Sequence, residues 1–252
     1  MILRLTLCLF AFAAFLGCQK TKTVFSNNPD APDYLHNRPV GASANEILSA
    51  AKYKSLKIEI LYMPGYAPDP NALAHLQTML NTYANKPNGI TIETKQITAS
   101  SSSTLNLDQI KSIEETNRTA FTNGDQLALY ILYTNGNYTS NNVIGIAYRN
   151  TSIAIFGKTV HDNSGGLGQT SRTKLEATVN EHELGHLLGL VDVGSPMQTN
   201  HKDAAHGNHC NNSNCLMYYA SETTDILGFL LTGSIPGFDA NCIADLRANG
   251  GK

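Results

Sequence analysis

The sequence predicts an α/β protein with a mixed sheet, and two observations carry this prediction. Strand-like and helix-like segments follow each other in the order strand, helix, strand, helix, strand, strand, strand and long helix, with no internal repeat. This order is typical of a sheet covered by helices. Hydrophobic residues make up 42% of the 252 residues, which is enough for a packed core and argues against a disordered chain.

The first half of the chain contains two strands and two helices. We predict a helix within residues 45–54, a strand at 56–62, a helix at 71–83 and a strand at 90–97. Both strands alternate apolar and polar residues, as half-buried strands do. The second helix places Leu73, Leu76 and Leu80 at helical spacing, and Pro70 stands just before it, where proline is favoured.

The second half begins with a helix and three strands and ends irregularly. We predict a helix at 107–117, strands at 127–133, 143–148 and 152–156, a glycine-rich loop at 161–170 and a strong helix at 173–188. After Gly189 the chain is rich in Asn, His and Gly, which predicts irregular structure. A last helix is predicted at 240–248.

The N-terminus has the composition of an export signal. Residues 1–17 carry one cation, Arg4, and an apolar run that is short for a membrane span but suits a signal peptide. Residues 15–18, Phe-Leu-Gly-Cys, resemble the bacterial lipobox, in which the cysteine is acylated. The alternative is an ordinary cleaved signal peptide with an incidental cysteine.

The predicted organisation follows from this segment. Residues 1–17 are a lipoprotein signal peptide, residues 18–43 are a polar tether beginning at the lipidated Cys18, and residues 44–252 are the functional domain. We expect an exported protein anchored by lipid to a bacterial membrane, periplasmic or on the cell surface.

Charge and composition narrow the class of partner. The chain has 18 Lys and Arg against 20 Asp and Glu, so it lacks the basic surface of a nucleic-acid-binding protein. Two residue types are clustered: five of eight His lie between 182 and 209, and three of five Cys lie between 210 and 242. An odd number of cysteines in an oxidising compartment leaves one unpaired or indicates a metal.

The histidine cluster contains the pattern HExxH at residues 182–186. On a helix, positions i and i+4 share a face, so His182 and His186 can bind one zinc ion. Glu183 then stands beside the pair, where it can take a proton from water. Gly189 can end the helix with a positive φ, so that a third ligand arrives from outside it. Three protein ligands and one open position form a catalytic zinc site.

This region resembles the metzincin metallopeptidases. The segment HELGHLLGLVD at 182–192 matches the family pattern HExxHxxGxx(H/D), and Met217 fits the methionine-containing turn beneath the zinc. Residues 209–217, HCNNSNCLM, are similar to the archaemetzincin string that begins at the third ligand. The resemblance spans residues 182–242. It implies a metzincin-like zincin with a mostly parallel twisted sheet, an active-site helix and an irregular C-terminal subdomain.

The resemblance leaves the third zinc ligand open. The upstream spacing names Asp192, whereas the downstream string names His209, and about 17 inserted residues separate the two motifs. His201 and His206, inside that insertion, are further candidates. Tyr219, two residues after Met217, corresponds to a tyrosine that binds zinc or stabilises the oxyanion in some metzincins; alternatively it is a core side chain.

The cysteines allow two interpretations. In archaemetzincins four cysteines bind a second, structural zinc, and the corresponding residues here are Cys210, Cys215, Asp239 and Cys242, with aspartate in place of one thiolate. The rival interpretation is one disulfide, Cys215–Cys242 or Cys210–Cys242, plus a free thiol.

Together these features predict a zinc-dependent metalloendopeptidase that hydrolyses peptide bonds through a metal-activated water, with Glu183 as general base. The expected partners are a peptide or protein substrate and, through the lipid, a membrane; no nucleic acid is expected, and we expect a monomer. The alternatives are a non-catalytic, metal-stabilised surface binding lipoprotein and an amidase acting on cell-wall peptides, because HExxH does not distinguish these substrates.

Overall fold

A computed structural model describes residues 34–140 and 142–252. The predicted signal peptide, Cys18 and the tether up to residue 33 lie outside these residues. In the described part, the helices are α1 (Ala44–Leu48), α2 (Pro70–Tyr83), α3 (Leu107–Asn117), α4 (Gly157–Asp162), α5 (Arg172–Leu187), α6 (Leu227–Thr232) and α7 (Ala240–Ala248). The strands are β1 (Ser55–Tyr62), β2 (Ile90–Gln96), β3 (Thr104–Leu105), β4 (Gln126–Tyr133), β5 (Asn137–Tyr138), β6 (Gly145–Arg149) and β7 (Ser152–Ile155).

Five strands form one mixed sheet in the order β2-β1-β4-β7-β6. The pairings β1 with β2, β1 with β4 and β4 with β7 are parallel. Strand β6 lies at one edge and pairs antiparallel with β7. The predicted α/β class with a mostly parallel sheet is therefore confirmed. Helices that could span a membrane by length and apolar character were not found among the described residues.

The sheet separates two hydrophobic clusters, because successive side chains of a strand point to opposite faces. In β4, Leu129 and Ile131 belong to the larger cluster with helices α2 and α5, whereas Tyr130 and Leu132 belong to the smaller cluster with α3. The central strand β4 is buried on both faces over almost its whole length, as parallel strands covered by helices are. Helix α5 is thus packed against the core side of the sheet.

The structure departs from the predicted elements at four places. Helix α1 is shorter than predicted, because the buried Lys86 ammonium donates hydrogen bonds to the carbonyls of Glu46, Ser49 and Tyr53 and so satisfies the groups at its end. The short helix α4 precedes the predicted glycine-rich loop and enters its first residues. Helix α6 and the two-stranded parallel pair β3–β5 were not predicted.

Helix α5 carries a buried acid away from the histidines, which gives a pH-dependent prediction. Burial raises the pKa of Glu176 to about 7, although the backbone N–H of Asp69 donates to its carboxylate. The native state therefore favours the protonated form, and stability falls as the pH rises from about 4.5 towards 7. We expect Glu176→Gln to be more stable than the wild type at pH 8, by up to ~3 kcal/mol.

Denaturant unfolding at pH 5 and pH 8 measures this effect. The gain in the free energy of unfolding from Glu176→Gln should be small at pH 5 and largest at pH 8. Each protein measured at pH 5 is therefore its own control. An advantage that is equal at both pH values would contradict the assigned titration.

Candidate active site

Helix α5 places the HExxH residues in the core of the molecule. Ser171 caps its N-terminus by accepting a hydrogen bond from the backbone N–H of Lys174, and the last three turns of the helix are buried throughout. The chain leaves the helix at Gly189, whose φ is +76°. A Cβ at this position would lie 2.5 Å from the backbone nitrogen of Ser195, so glycine is required both by φ and by the close approach.

Three imidazoles converge beside this helix. The Nε2 atoms of His182 and His186 are 3.2 Å apart, and the ring of His209 stacks on that of His182 with centroids 5.3 Å apart. The Nδ1 atom of His182 lies 2.7 Å from the carbonyl of Leu216, and that of His209 lies 2.6 Å from the carbonyl of His206. Because a carbonyl only accepts, both Nδ1 atoms carry the proton, and both Nε2 lone pairs face the cluster.

The chemistry of this donor set fits a zinc ion. Burial lowers the pKa of His186 well below its ordinary value, and the neighbouring imidazoles of His182 and His209 lower it further. The imidazole is therefore neutral, as a metal ligand must be. The Nε2 of His209 is buried and has no hydrogen-bond partner among the described residues. A metal ion would satisfy this atom, whereas an empty cluster of converging lone pairs would be costly.

Glu183 points towards the same region from the buried face of α5. Both of its carboxylate oxygens are buried without a hydrogen-bond partner in the described ranges. Burial raises the pKa of Glu183 well above its usual range, and the nearby carboxylate of Glu222 adds to this. Burial therefore favours the protonated form of Glu183, as is common for acids at functional sites. A cation bound by the imidazoles would counteract the shift by favouring the charged form.

Two glycines make room for these groups. A Cβ at Gly145, the first residue of the edge strand β6, would lie 2.9 Å from both Cγ and Oε1 of Glu183. A Cβ at Gly185 would overlap the sulfur of Met217. Met217 is fully buried beneath the helix, as expected for the methionine of a metzincin turn. Both glycines are therefore explained by close packing, not by backbone conformation.

The candidates for third ligand lie in different places. His209 joins the pair on α5, whereas Asp192 lies outside the cluster, and its exposed carboxylate pairs with Lys202 at 3.1 Å. Asp192 has a φ of +67°, which turns the chain away from the helix. His206 lies outside this cluster: its Nδ1 is 2.6 Å from Oδ2 of Asp203, and its ring stacks on that of Tyr219 with centroids 3.7 Å apart.

The inserted residues leave the site and return to it. The return is made by an antiparallel bridge between Lys202 and Cys210, with hydrogen bonds from Asp203 N–H to the His209 carbonyl and from Asn211 N–H to the His201 carbonyl. Residues 201 and 209 thereby lie on paired segments. His209 reaches the cluster that contains His182 and His186, whereas His201 reaches a second cluster that contains Cys210 and Cys242.

A second cluster of metal-binding groups surrounds the cysteines. The Sγ atoms of Cys215 and Cys242 are 3.6 Å apart, and Nδ1 of His201 lies 3.3 Å from Sγ of Cys210 and 3.9 Å from that of Cys242. The Nε2 of His201 donates to Asp245 at 2.8 Å, so that its Nδ1 faces the thiols. Hydrogen bonds from the thiols of Cys210 and Cys242 lower the pKa of Cys215 to about 4.

The structure changes both sequence-based interpretations of the cysteines. Cys210, Cys215 and Cys242 are free thiols, so neither predicted disulfide is present. Asp239 lies within the cluster, but one of its oxygens caps α7 by accepting from the N–H of Cys242. Its other oxygen accepts from the side-chain amide of Asn212. His201, which was considered only for the first site, is the additional nitrogen donor here.

One acidic residue of the first cluster was not predicted. Oε2 of Glu222 lies 3.7, 3.9 and 3.6 Å from the Nε2 atoms of His182, His186 and His209. Glu222 ends a short 3₁₀ helix, Tyr219–Glu222, that follows the methionine turn. No motif spacing pointed to it, since a glutamate five residues after Met217 has no place in the pattern that the sequence resembles.

Comparisons with known proteins agree with this geometry. The sequence model of metallopeptidase family M12 matches residues 68–229. An archaemetzincin from Methanopyrus kandleri has a similar fold, with a TM-score of 0.51 and 16% identity over 78% of this chain and 96% of the archaemetzincin. No curated protein matches the sequence. The family match covers well over half of the chain and includes HExxH and Met217. The chain therefore belongs to metallopeptidase family M12, as a metzincin-like zinc metallopeptidase.

Proposed function

We propose that this protein is a zinc-dependent metalloendopeptidase whose catalytic zinc is held by His182, His186 and His209. The observation that carries the proposal is the convergence of three imidazole Nε2 atoms beside a buried, unpaired glutamate. Bound there, zinc supplies Lewis-acid polarisation of water and of the scissile carbonyl. The hydrogen bonds from His182 and His209 to backbone carbonyls hold these two rings in the orientation that this requires.

Glu183 performs the proton transfers of this mechanism. Its carboxylate accepts a proton from the attacking water and delivers it to the nitrogen of the leaving amine. Its side chain is fully buried, which keeps bulk water away from the proton. Gly145 leaves the space that the side chain occupies, since a Cβ there would lie 2.9 Å from its Cγ.

Strand β6 is the part of the sheet that suits an extended peptide. It lies at the edge of the sheet, and its first residue, Gly145, is next to Glu183. A peptide that adds as a further strand gains main-chain hydrogen bonds and passes the reacting groups. This favours a peptide or protein substrate over the cell-wall amidase alternative. The intact Glu183 argues against the non-catalytic binding alternative.

We propose that a second, structural zinc is bound by Cys210, Cys215, Cys242 and His201. Donor atoms of a tetrahedral zinc site with sulfur ligands lie ~3.7 Å apart, close to the 3.6 Å between Cys215 and Cys242. Thiolates are preferred to a carboxylate in a soft site, and Asp239 is already engaged as the cap of α7. Such a site would join the returning insertion to the last helix.

The lipid anchor remains part of the proposal. The lipobox-like residues 15–18 and the polar residues that follow support export and attachment through Cys18. A polar tether of this length would hold the peptidase domain at the surface of a bacterial membrane, periplasmic or external. Mass spectrometry of the protein purified from bacterial membranes tests this, since acylation adds the mass of the lipid to a chain that begins at Cys18.

Paired alanine variants test the third ligand. We expect His209→Ala to bind the catalytic zinc at least ~10-fold more weakly and to lose hydrolysis, because one of three protein ligands is gone. Asp192→Ala is the matched control, and it should retain zinc and activity, because its carboxylate pairs with Lys202 at the surface. Zinc content after dialysis and casein hydrolysis are the measurements. The reverse result would assign the third ligand to Asp192.

A further inference from the structure

Glu222 occupies the place that a catalytic zinc site is expected to leave open. Its Oε2 is 3.6 to 3.9 Å from each of the three Nε2 atoms, and the Nε2 atoms of His182 and His186 are 3.2 Å apart. In a tetrahedral zinc site with nitrogen and oxygen ligands, neighbouring donors lie ~3.3 Å apart. One ligand atom from each of the three imidazoles and from Glu222 lies within 4.8 Å of the others, so the four residues are close enough to bind one metal ion.

A divalent cation inside this arrangement would balance its charge. The site contains two acidic groups, Glu222 and Glu183, and the Nδ1 atoms of His182 and His209 are engaged by backbone carbonyls, so that both Nε2 atoms face the Glu222 carboxylate. A buried carboxylate that faces neutral groups is costly unless a cation compensates it. A single Zn²⁺ compensates two carboxylates. Because Oε2 of Glu222 is nearly equidistant from the three Nε2 atoms, it is placed as a ligand to a metal ion shared with them.

The Glu222 side chain can also leave this position. It is 28% exposed and belongs to a four-residue 3₁₀ helix, whereas His182 is fully buried on the long helix α5. Its backbone carbonyl accepts from the N–H of Ile144, and the N–H of Thr224 donates to the carbonyl of Asn142. These bonds join the Glu222 segment to the residues that lead directly into the edge strand β6.

We infer that Glu222 is a displaceable fourth ligand that closes the catalytic metal site at rest. An extended peptide substrate that pairs with β6 takes the place of the carboxylate at the metal. Four protein ligands characterise a structural zinc site, so the enzyme is latent until Glu222 moves away. Residues 222 and 224 are hydrogen-bonded to residues 144 and 142, which directly precede β6. Peptide binding to β6 can therefore displace the Glu222 side chain. This inference rests on the proposed peptidase function.

Calorimetric titration of the zinc-loaded protein with acetohydroxamate tests the inference without requiring peptide hydrolysis. Acetohydroxamate binds zinc at an open position, and the cysteine-bound zinc offers none. We expect Glu222→Gln to bind acetohydroxamate at least ~10-fold more tightly than the wild type, because a neutral amide competes poorly for the metal. Asp225→Asn is the matched control: it removes the same charge from an exposed residue three positions away and should behave as the wild type.

Zinc retention under dialysis against a chelator is measured on the same proteins. Glu222→Gln should lose the catalytic zinc faster than Asp225→Asn, and its circular dichroism should stay native. Equal acetohydroxamate affinity and equal zinc loss in all three folded proteins would overturn the inference. That result would leave the peptidase proposal intact, because the latter depends on Glu183 and the three histidines. A Glu222→Gln variant that binds acetohydroxamate tightly but hydrolyses no peptide would support the ligand assignment and contradict the peptidase proposal.

Discussion

Replacing Glu183 with glutamine is expected to abolish peptide hydrolysis while the zinc stays bound. Glutamine has nearly the same shape as glutamate, so it fits the space that Gly145 leaves. It cannot accept the proton of the attacking water, and it has none to pass to the leaving amine. General acid–base catalysis contributes ~10²- to 10⁴-fold, and we expect a loss of at least this size in kcat/KM.

The measurements are casein hydrolysis and zinc content, each with and without a chelator. Glu181→Gln, two residues earlier on α5, is a matched control, and it should retain activity because Glu181 is not among the groups of the metal cluster. Bacterial sacculi assayed in parallel separate a peptidase from a cell-wall amidase. A Glu183→Gln variant that cleaves at the wild-type rate would contradict the mechanism. A wild-type protein that binds zinc but cleaves neither substrate would favour the non-catalytic binding alternative.

Local sequence signals predicted most helices closely. Helix α3 was predicted at 107–117 and has these bounds, because Asn106 and Gln109 form a reciprocal capping box at its start. Helix α7 likewise begins directly after its cap, Asp239. Helix α1 was predicted too long, since its end depends on Lys86, which is almost 40 residues away along the chain. Contacts of that kind have no local signature.

The residues of the two functional sites also differ in whether local spacing in the sequence predicts them. The two histidines of HExxH are one helical turn apart, so their spacing alone brings them together. The third histidine was ambiguous, because the 17 or so residues between Asp192 and His209 could follow many paths. The approach of His201 to the cysteines depends on an antiparallel bridge, and that of Glu222 to the imidazoles depends on a short 3₁₀ helix. Neither leaves a periodic pattern in the sequence.

Loss of the second metal is expected to have the largest effect on stability. The cluster joins helix α7, at Cys242, to the insertion at His201 and to the segment after His209, which are about 30 to 40 residues earlier in the chain. Structural zinc sites contribute ~10–16 kcal/mol of apparent binding free energy, which is linked to folding. If one ligand of four carries about a quarter of this, Cys242→Ser costs ~3 kcal/mol and lowers the Tm by ~10 °C.

Thermal unfolding of the wild type and Cys242→Ser, each with zinc and after chelation, separates metal binding from packing. Because the Cys242 thiol is fully buried, serine also has a packing cost, which remains after chelation. The difference in Tm should therefore be large with zinc and small without it, and the variant should lose its second equivalent of zinc at a lower chelator concentration than the wild type. If the cysteines instead formed a disulfide, a reductant would lower the Tm of the wild type, and zinc content would be one equivalent in both proteins. The free thiols, the 3.6 Å separation of Cys215 and Cys242 and the His201–Asp245 pair favour the metal.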